Sequence, residues 1–192
     1  MNFFSRQQVI GLVIGVLLLT YVFVIDDTST HDTAKKVVDD MTCVRSVEKK
    51  IVRGDSMRGI IAEGEEVALM TGFYNCNNVL RGDVVAYHYA GNDSYVVKQV
   101  RGIPGDSIQL EKNDSSEWSI VVNKEKLKTV SGQSYSLRDS QKGLLESYIE
   151  SYKGTLPEDA YLLLGTSAFG SADSTRFGFI GRKDIAGKIV IP

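Results

Sequence analysis

Val9 to Ile25 is an unbroken apolar run in which Thr20 and Tyr21 carry the only polar groups. As helix it rises about 25 Å, the short end of what crosses the hydrocarbon core of a bilayer. A helix buried in a soluble domain normally keeps a polar face, and this run has none. Residues 9–25 are therefore expected to form a single transmembrane anchor. Arg6 precedes the run and Asp26-Asp27 follow it. That asymmetry puts residues 1–8 in the cytoplasm and the bulk of the chain on the other side. A cleaved secretory signal is the rival expectation. The length of the apolar region and the lack of a small-x-small site before Asp26 argue against it. Residues 26–42 then form a juxtamembrane segment, polar and acidic at first. Within it, Thr33–Met41 places Ala34, Val37, Val38 and Met41 on one helical face.

The rest of the chain is a series of short β-prone runs separated by turn residues. Cys43–Arg53, Glu66–Tyr74, Val84–Tyr89, Tyr95–Arg101, Ser107–Leu110 and Ser119–Asn123 come first. Tyr161–Leu164, Phe179-Ile180 and Ile185–Ile191 close the series. Gly64, Gly82 and Pro104-Gly105 mark turns, and Gly91-Asn92-Asp93 is a hairpin signal. With 18 Gly and 3 Pro, this punctuation predicts a mostly β domain over residues 43–192, built as an antiparallel sheet. Residues 131–155 break the pattern. They are polar and partly helical (Gly143–Tyr152) and are expected to be a small insert over the β core. A net charge of −2 excludes the basic footprint of a nucleic-acid binder. Cys and His show no metal-ligand spacing, so no metal and no cofactor are expected. No feature of the sequence sets an oligomeric state.

Two short stretches could carry chemistry. Arg53-Gly54-Asp55-Ser56-Met57 is a turn-prone segment between apolar runs, which can present a serine hydroxyl to a cleft. Val96-Val97-Lys98-Gln99-Val100 places a lysine inside an otherwise apolar strand. An edge-strand lysine that keeps a sheet soluble is one reading. A desolvated lysine is the other: burial favours its neutral form, and a neutral amine can serve as a general base. A serine beside such an amine becomes a nucleophile without a histidine. His31 in the juxtamembrane segment and His88 at a strand end are expected to be surface residues.

These stretches belong to an ordered set. Arg53-Gly54-Asp55-Ser56-Met57 and Arg81-Gly82-Asp83-Val84-Val85 come first. Lys98-Gln99-Val100-Arg101-Gly102-Ile103-Pro104-Gly105-Asp106 follows, and then Gly165 with Ser171-Ala172-Asp173-Ser174 and Gly178-Phe179-Ile180. In that order they resemble the boxes of the bacterial type I signal peptidases, membrane-bound Ser/Lys endopeptidases. The resemblance covers the anchor and most of the chain from Val44 onward, but not the insert.

It implies Ser56 as nucleophile and Lys98 as general base, with the Ser56 N–H in the oxyanion hole. Ser171 matches a serine that hydrogen-bonds and orients the lysine, and Asp173 the acidic residue supporting the site. Val52, Met57, Ile61 and Val97 match substrate-pocket positions. The implied partners are preprotein signal peptides and membrane lipid. The implied location is the plasma (inner) membrane, single-pass, with the catalytic domain periplasmic or extracellular.

The chain departs from the family pattern at several places. Arg58-Gly59 replaces a proline after the serine turn. Gly54 stands where some members have a serine that donates to the oxyanion. Thr166-Ser167 follows Gly165 in place of Asp-Asn. Thr175 occupies an arginine position, with Arg176 one place late and a candidate partner for Asp173. These departures suit a specialised peptidase for pilin or conjugation-type substrates. The altered last box also suits a catalytically inactive, membrane-tethered peptide-binding module. A self-cleaving Ser/Lys regulator shares the dyad, but the anchor and the lack of a helix-turn-helix pattern argue against it.

Cys43 and Cys76 are the only cysteines. An even pair facing an oxidising compartment suggests a disulfide. If the strands on either side of the serine turn pair with Val52 opposite Val67, Cys43 falls opposite Cys76.

Overall fold

The computed structural model describes residues 39–89 and 94–192. The expected anchor at 9–25, most of the expected helix at 33–41 and the turn at Gly91-Asn92-Asp93 lie outside them. Asp39 to Met41 are not helical. Among the described residues no helix is long and apolar enough to cross a membrane.

Strand dominates the regular structure of the described chain, and every strand pairing is antiparallel. In chain order the strands are β1 (Ser46–Ile51), β2 (Glu66–Thr71), β3 (Val84–His88), β4 (Tyr95–Gly102), β5 (Ile108–Lys112), β6 (Trp118–Val122), β7 (Glu125–Lys126), β8 (Ala160–Leu164), β9 (Ile180–Gly181) and β10 (Ile185–Val190). Two α-helices join them, α1 (Asp139–Ser151) and α2 (Ser174–Phe177). One sheet runs β1-β2-β10-β3-β4-β8-β9, and a second runs β5-β6-β7.

Position in the sheet explains the composition of each strand. β1 is an edge strand and alternates half-buried with exposed residues. β8 is buried at every position because its two faces serve two cores. Leu162 and Leu164 enter a core with Ile108, Ile120 and Leu145, while Tyr161 and Leu163 enter one with Val85, Tyr87 and Val100. A third core gathers Val52, Met57, Ile61, Leu69 and Ala86 below the serine turn.

Residues 131–155 contain the expected helix but are no polar cover. Tyr135, Leu137 and Leu145 are at most 1% exposed. Leu137 exchanges both backbone hydrogen bonds with Trp118 of β6, at 2.7 and 2.8 Å. The apolar residues of this segment complete the core between β8 and the second sheet.

Two of the ordered boxes are joined structurally. Arg81 Nη2 reaches both carboxylate oxygens of Asp106 at 2.6 and 2.7 Å, and Ile103 N and Asn123 Nδ2 each donate to Asp106 at 2.7 Å. A buried carboxylate needs such saturation. The pairing ties the loop before β3 to the turn after β4.

The β1–β2 register differs from the expected one by two residues. Lys50, not Val52, lies opposite Val67. Cys43 and Cys76 are nevertheless bonded as a disulfide, with Cα atoms 5.7 Å apart. The ladder ends at Thr71, and Phe73–Asn75 form a 3₁₀ turn. A 3₁₀ turn advances about 2 Å per residue against roughly 3.3 Å in a strand. The turn therefore keeps Cys76 within reach of Cys43 although the ladder register is different.

Candidate active site

The segment carrying Ser56 leaves β1 through Val52, whose N–H and C=O bond Glu65 O and Gly64 N at 2.9 Å each. Gly54 turns the chain at φ +80°, a left-handed conformation that glycine adopts without strain. Its N–H donates to Glu63 at 3.2 Å. The turn after Ser56 is closed by Arg58 N to Asp55 O at 3.0 Å and by Ile61 N to Met57 O at 2.9 Å. Those bonds hold the turn without the family's proline.

Lys98 does not lie on an edge strand. β4 is flanked by β3 and β8, with Val85 opposite Lys98 and Leu164 opposite Gln99. Lys98 is 2% exposed. Its Nζ stands 2.7 Å from Ser56 Oγ and donates to Val97 O at 2.8 Å. Burial pushes the Lys98 ammonium down to about 8, against an opposing pull from the Asp173 carboxylate. A half-buried hydroxyl and a buried amine close to neutrality are thus in contact.

Asp173 is fully buried and caps α2. Thr175 N and Thr175 Oγ1 donate to its Oδ1 at 2.9 and 2.7 Å. Gly165 N and Ser171 Oγ donate to its Oδ2 at 2.9 and 2.5 Å. The Ser171 hydroxyl therefore engages Asp173, where the resemblance led us to expect Lys98. Arg176 is exposed and forms no ion pair with Asp173. Thr175 supplies a neutral donor at the position where the family carries arginine.

Gly165 packs against this centre. A Cβ there would lie 2.6 Å from Ser56 O and 2.5 Å from Ser171 Oγ, so only glycine fits. The next residue, Thr166, donates its N–H to Ser56 O at 2.8 Å. Tyr135 donates its hydroxyl to Gly165 O at 2.5 Å. Sequence reasoning missed Thr166, Thr175 and Tyr135. The contacts of Thr166 and Tyr135 run through backbone groups, which leave no pattern in residue type.

A cleft of about 370 Å³ opens beside Ser56 and Lys98. Val52, Met57 and Val97 line it, together with Leu69, Ala86 and Tyr95, which the sequence did not single out. Ile61 does not line the cleft. It is 1% exposed and belongs to the core beneath. The walls are largely apolar, and Lys50, Ile51 and Val52 bring the β1 end to the rim. Among the described residues no cluster of His, Cys, Asp or Glu could hold a metal ion.

The family model for "Signal peptidase, peptidase S26" matches residues 8–192. Signal peptidase IB of Staphylococcus aureus (strain COL) is 31% identical over 146 residues, covering 72% of this chain and 73% of the relative. Signal peptidase I of Bacillus amyloliquefaciens is 27% identical over 146 residues, covering 71% and 70%. The crystal structure of a signal peptidase I from Enterococcus faecalis V583 aligns at 21% identity with a TM-score of 0.37. It covers 59% of this chain and 98% of that one.

Proposed function

The chain belongs to the type I signal peptidases of the peptidase S26 family, and from that premise we propose that it is a membrane-anchored serine endopeptidase. It cleaves signal peptides from exported preproteins, with Ser56 as nucleophile and Lys98 as general base. The observation that carries this reading is the 2.7 Å contact between Ser56 Oγ and a Lys98 Nζ that is 2% exposed.

The chemistry follows from that contact. Neutral Lys98 accepts the Ser56 proton as Oγ attacks the scissile carbonyl carbon. Negative charge gathers on the carbonyl oxygen, where the Ser56 N–H stabilises it. Lys98, now an ammonium, gives the proton to the leaving amine, and the C–N bond breaks. The remaining ester is hydrolysed by a water that Lys98 deprotonates, which regenerates the Ser56 hydroxyl. Asp173 acts on the lysine through its charge, and Ser171 helps hold the Asp173 carboxylate.

The cleavable end of a signal peptide is extended and can add as a strand beside the free edge of β1. Its small side chains enter the apolar cleft over Met57, Ala86 and Val97. Residues 9–25 anchor the enzyme in the plasma membrane with the catalytic domain outside, so enzyme and substrate meet on one surface.

The test is incubation of a preprotein with wild type, Ser56→Ala and Lys98→Ala. Wild type cleaves, and each variant loses at least about 10³-fold in rate. Variants that cut as fast as wild type, or a wild type that leaves the preprotein intact, would overturn the reading.

A further inference from the structure

The peptide group between Gly165 and Thr166 is held at both ends. Its carbonyl oxygen accepts from Tyr135 at 2.5 Å. Its N–H donates to Ser56 O at 2.8 Å. The Thr166 hydroxyl approaches the same oxygen at 3.4 Å. A single peptide plane thus links the phenol of Tyr135 to the carbonyl of Ser56. Hydrogen bonds in series polarise one another, so a donor at the carbonyl strengthens the N–H as donor at the far end.

We propose that Tyr135 is a positioning residue for Ser56. It acts through this one peptide group and gives the 131–155 segment a part in catalysis. The inference rests on the reading of Ser56 as nucleophile.

Tyr135 is built for a fixed role. It is 1% exposed and packs in the core with Ile120 and Leu137. Burial raises its phenol to about 12, although the neighbouring Arg101 opposes the rise, so the hydroxyl stays protonated and donates. The Arg101 guanidinium lies 5.8 Å from the ring centroid and donates to Lys128 O at 2.8 Å. Arg101 is on β4, three residues after Lys98. The ring is therefore braced by the strand that carries the amine, while its hydroxyl braces the carbonyl of the residue that carries the alcohol.

Gly165 is fixed from its other side as well, because its N–H donates to Asp173 at 2.9 Å. Leu164 pairs with Gln99, which sets Gly165 next to Lys98 along the β4–β8 ladder. Without the Tyr135 hydroxyl the Gly165–Thr166 peptide keeps only its N–H contact to Ser56 O. It is then free to tilt, and the Ser56 carbonyl tilts with it. Small misplacements of a nucleophile lower the rate of attack without weakening substrate binding.

The experiment compares steady-state kinetics on a preprotein for wild type, Tyr135→Phe and the core control Leu145→Val. Tyr135→Phe keeps the ring and removes the hydroxyl. Its kcat falls by at least about 10-fold while KM stays within about two-fold. Leu145→Val loosens the same core without touching the peptide and keeps kcat per folded molecule. A second variant carries the α-hydroxy acid analogue of threonine at position 166. It replaces the N–H by oxygen, leaves Tyr135 in place and shows the same kcat loss.

A folded Tyr135→Phe with wild-type kcat overturns the proposal, as does a loss that Leu145→Val reproduces at equal folded fraction. Where Tyr135→Phe does not fold, the ester variant decides, and wild-type kcat there overturns it. If wild-type enzyme has no turnover, the nucleophile reading fails and this one falls with it. If wild type is active and Tyr135→Phe is equally active, only the positioning role fails.

Discussion

Asp173 and Lys98 are buried in one centre, the carboxylate at 0% and the amine at 2% exposure, and the charge of the first opposes what burial does to the second. Burial favours the neutral amine, and the nearby anion favours the ammonium. The carboxylate is held by neutral donors, from Gly165, Ser171 and Thr175. No arginine among the described residues pairs with it, so its charge is available to act on the lysine.

A general base works only after it has lost its proton. With Lys98 brought down to about 8, kcat/KM for preprotein cleavage rises with pH and levels off above that value. At pH 6 the amine is almost wholly protonated, and at pH 9 it is mostly neutral. A profile that is flat between pH 6 and 9 would remove Lys98 from the role.

Asp173→Asn removes the one cause that holds the Lys98 value up. The rising limb of kcat/KM then moves to lower pH than in wild type. The new amide also points an N–H₂ at a site where only donors converge, which costs about 1–3 kcal/mol of stability. The check is a pH series on folded variant; a limb that moves upward contradicts the electrostatic account.

Lys98→Met separates stability from activity. In the folded protein the lysine value is depressed to about 8, while the unfolded chain keeps the ordinary 10.5. Below about 8 both states are protonated, and the fold carries the full cost of a buried ammonium. Between 8 and 10.5 the unfolded state binds the extra proton, so wild-type stability rises with pH, and above 10.5 the cost is gone. The methionine variant is therefore inactive and more stable than wild type at neutral pH, on the order of 3 kcal/mol. Its advantage shrinks as the pH approaches 10.5. Urea midpoints at pH 7 and pH 10 measure both statements, and a less stable variant at pH 7 refutes them.

Parts of this architecture are legible in the residues because local rules and tertiary context agree. The β-prone runs separated by glycine turns become an antiparallel fold because each run alternates or buries as its place in the sheet requires. Ser56 and Lys98 are legible from their place in the ordered boxes, because a serine on a glycine turn and a lysine in an apolar strand each also have an ordinary surface reading. Other parts depend on backbone geometry that residue type does not encode. The β1–β2 ladder sets Lys50 rather than Val52 opposite Val67, and the 3₁₀ turn at Phe73–Asn75 beyond the ladder brings Cys76 to Cys43. Ile61 has the same character as the apolar cleft residues, and only the path of the turn after Ser56 sends it into the core. Residues 131–155 read as polar because their fully buried members, Tyr135, Leu137 and Leu145, are spread across a segment rich in Ser and other polar residues.

The Cys43–Cys76 bond joins the segment before β1 to the loop after β2 across 33 residues. Among the described residues β1 is an edge strand that pairs only with β2, and its last residues form the cleft rim. Closing a loop of that length lowers the entropy of the unfolded chain by an amount worth roughly 3–4 kcal/mol. The double variant Cys43→Ser/Cys76→Ser loses stability of that order and lets the start of β1 fray. The far end of β1, at Lys50–Val52, keeps its pairing to β2 and its bonds to Gly64 and Glu65, so the Ser56 turn stays in place. Cleavage by the folded variant at low temperature is then close to wild type, while its thermal midpoint drops. An equal thermal midpoint would show that the edge needs no staple. A large loss of kcat in fully folded variant would show that the order at Cys43 extends along β1 to the nucleophile.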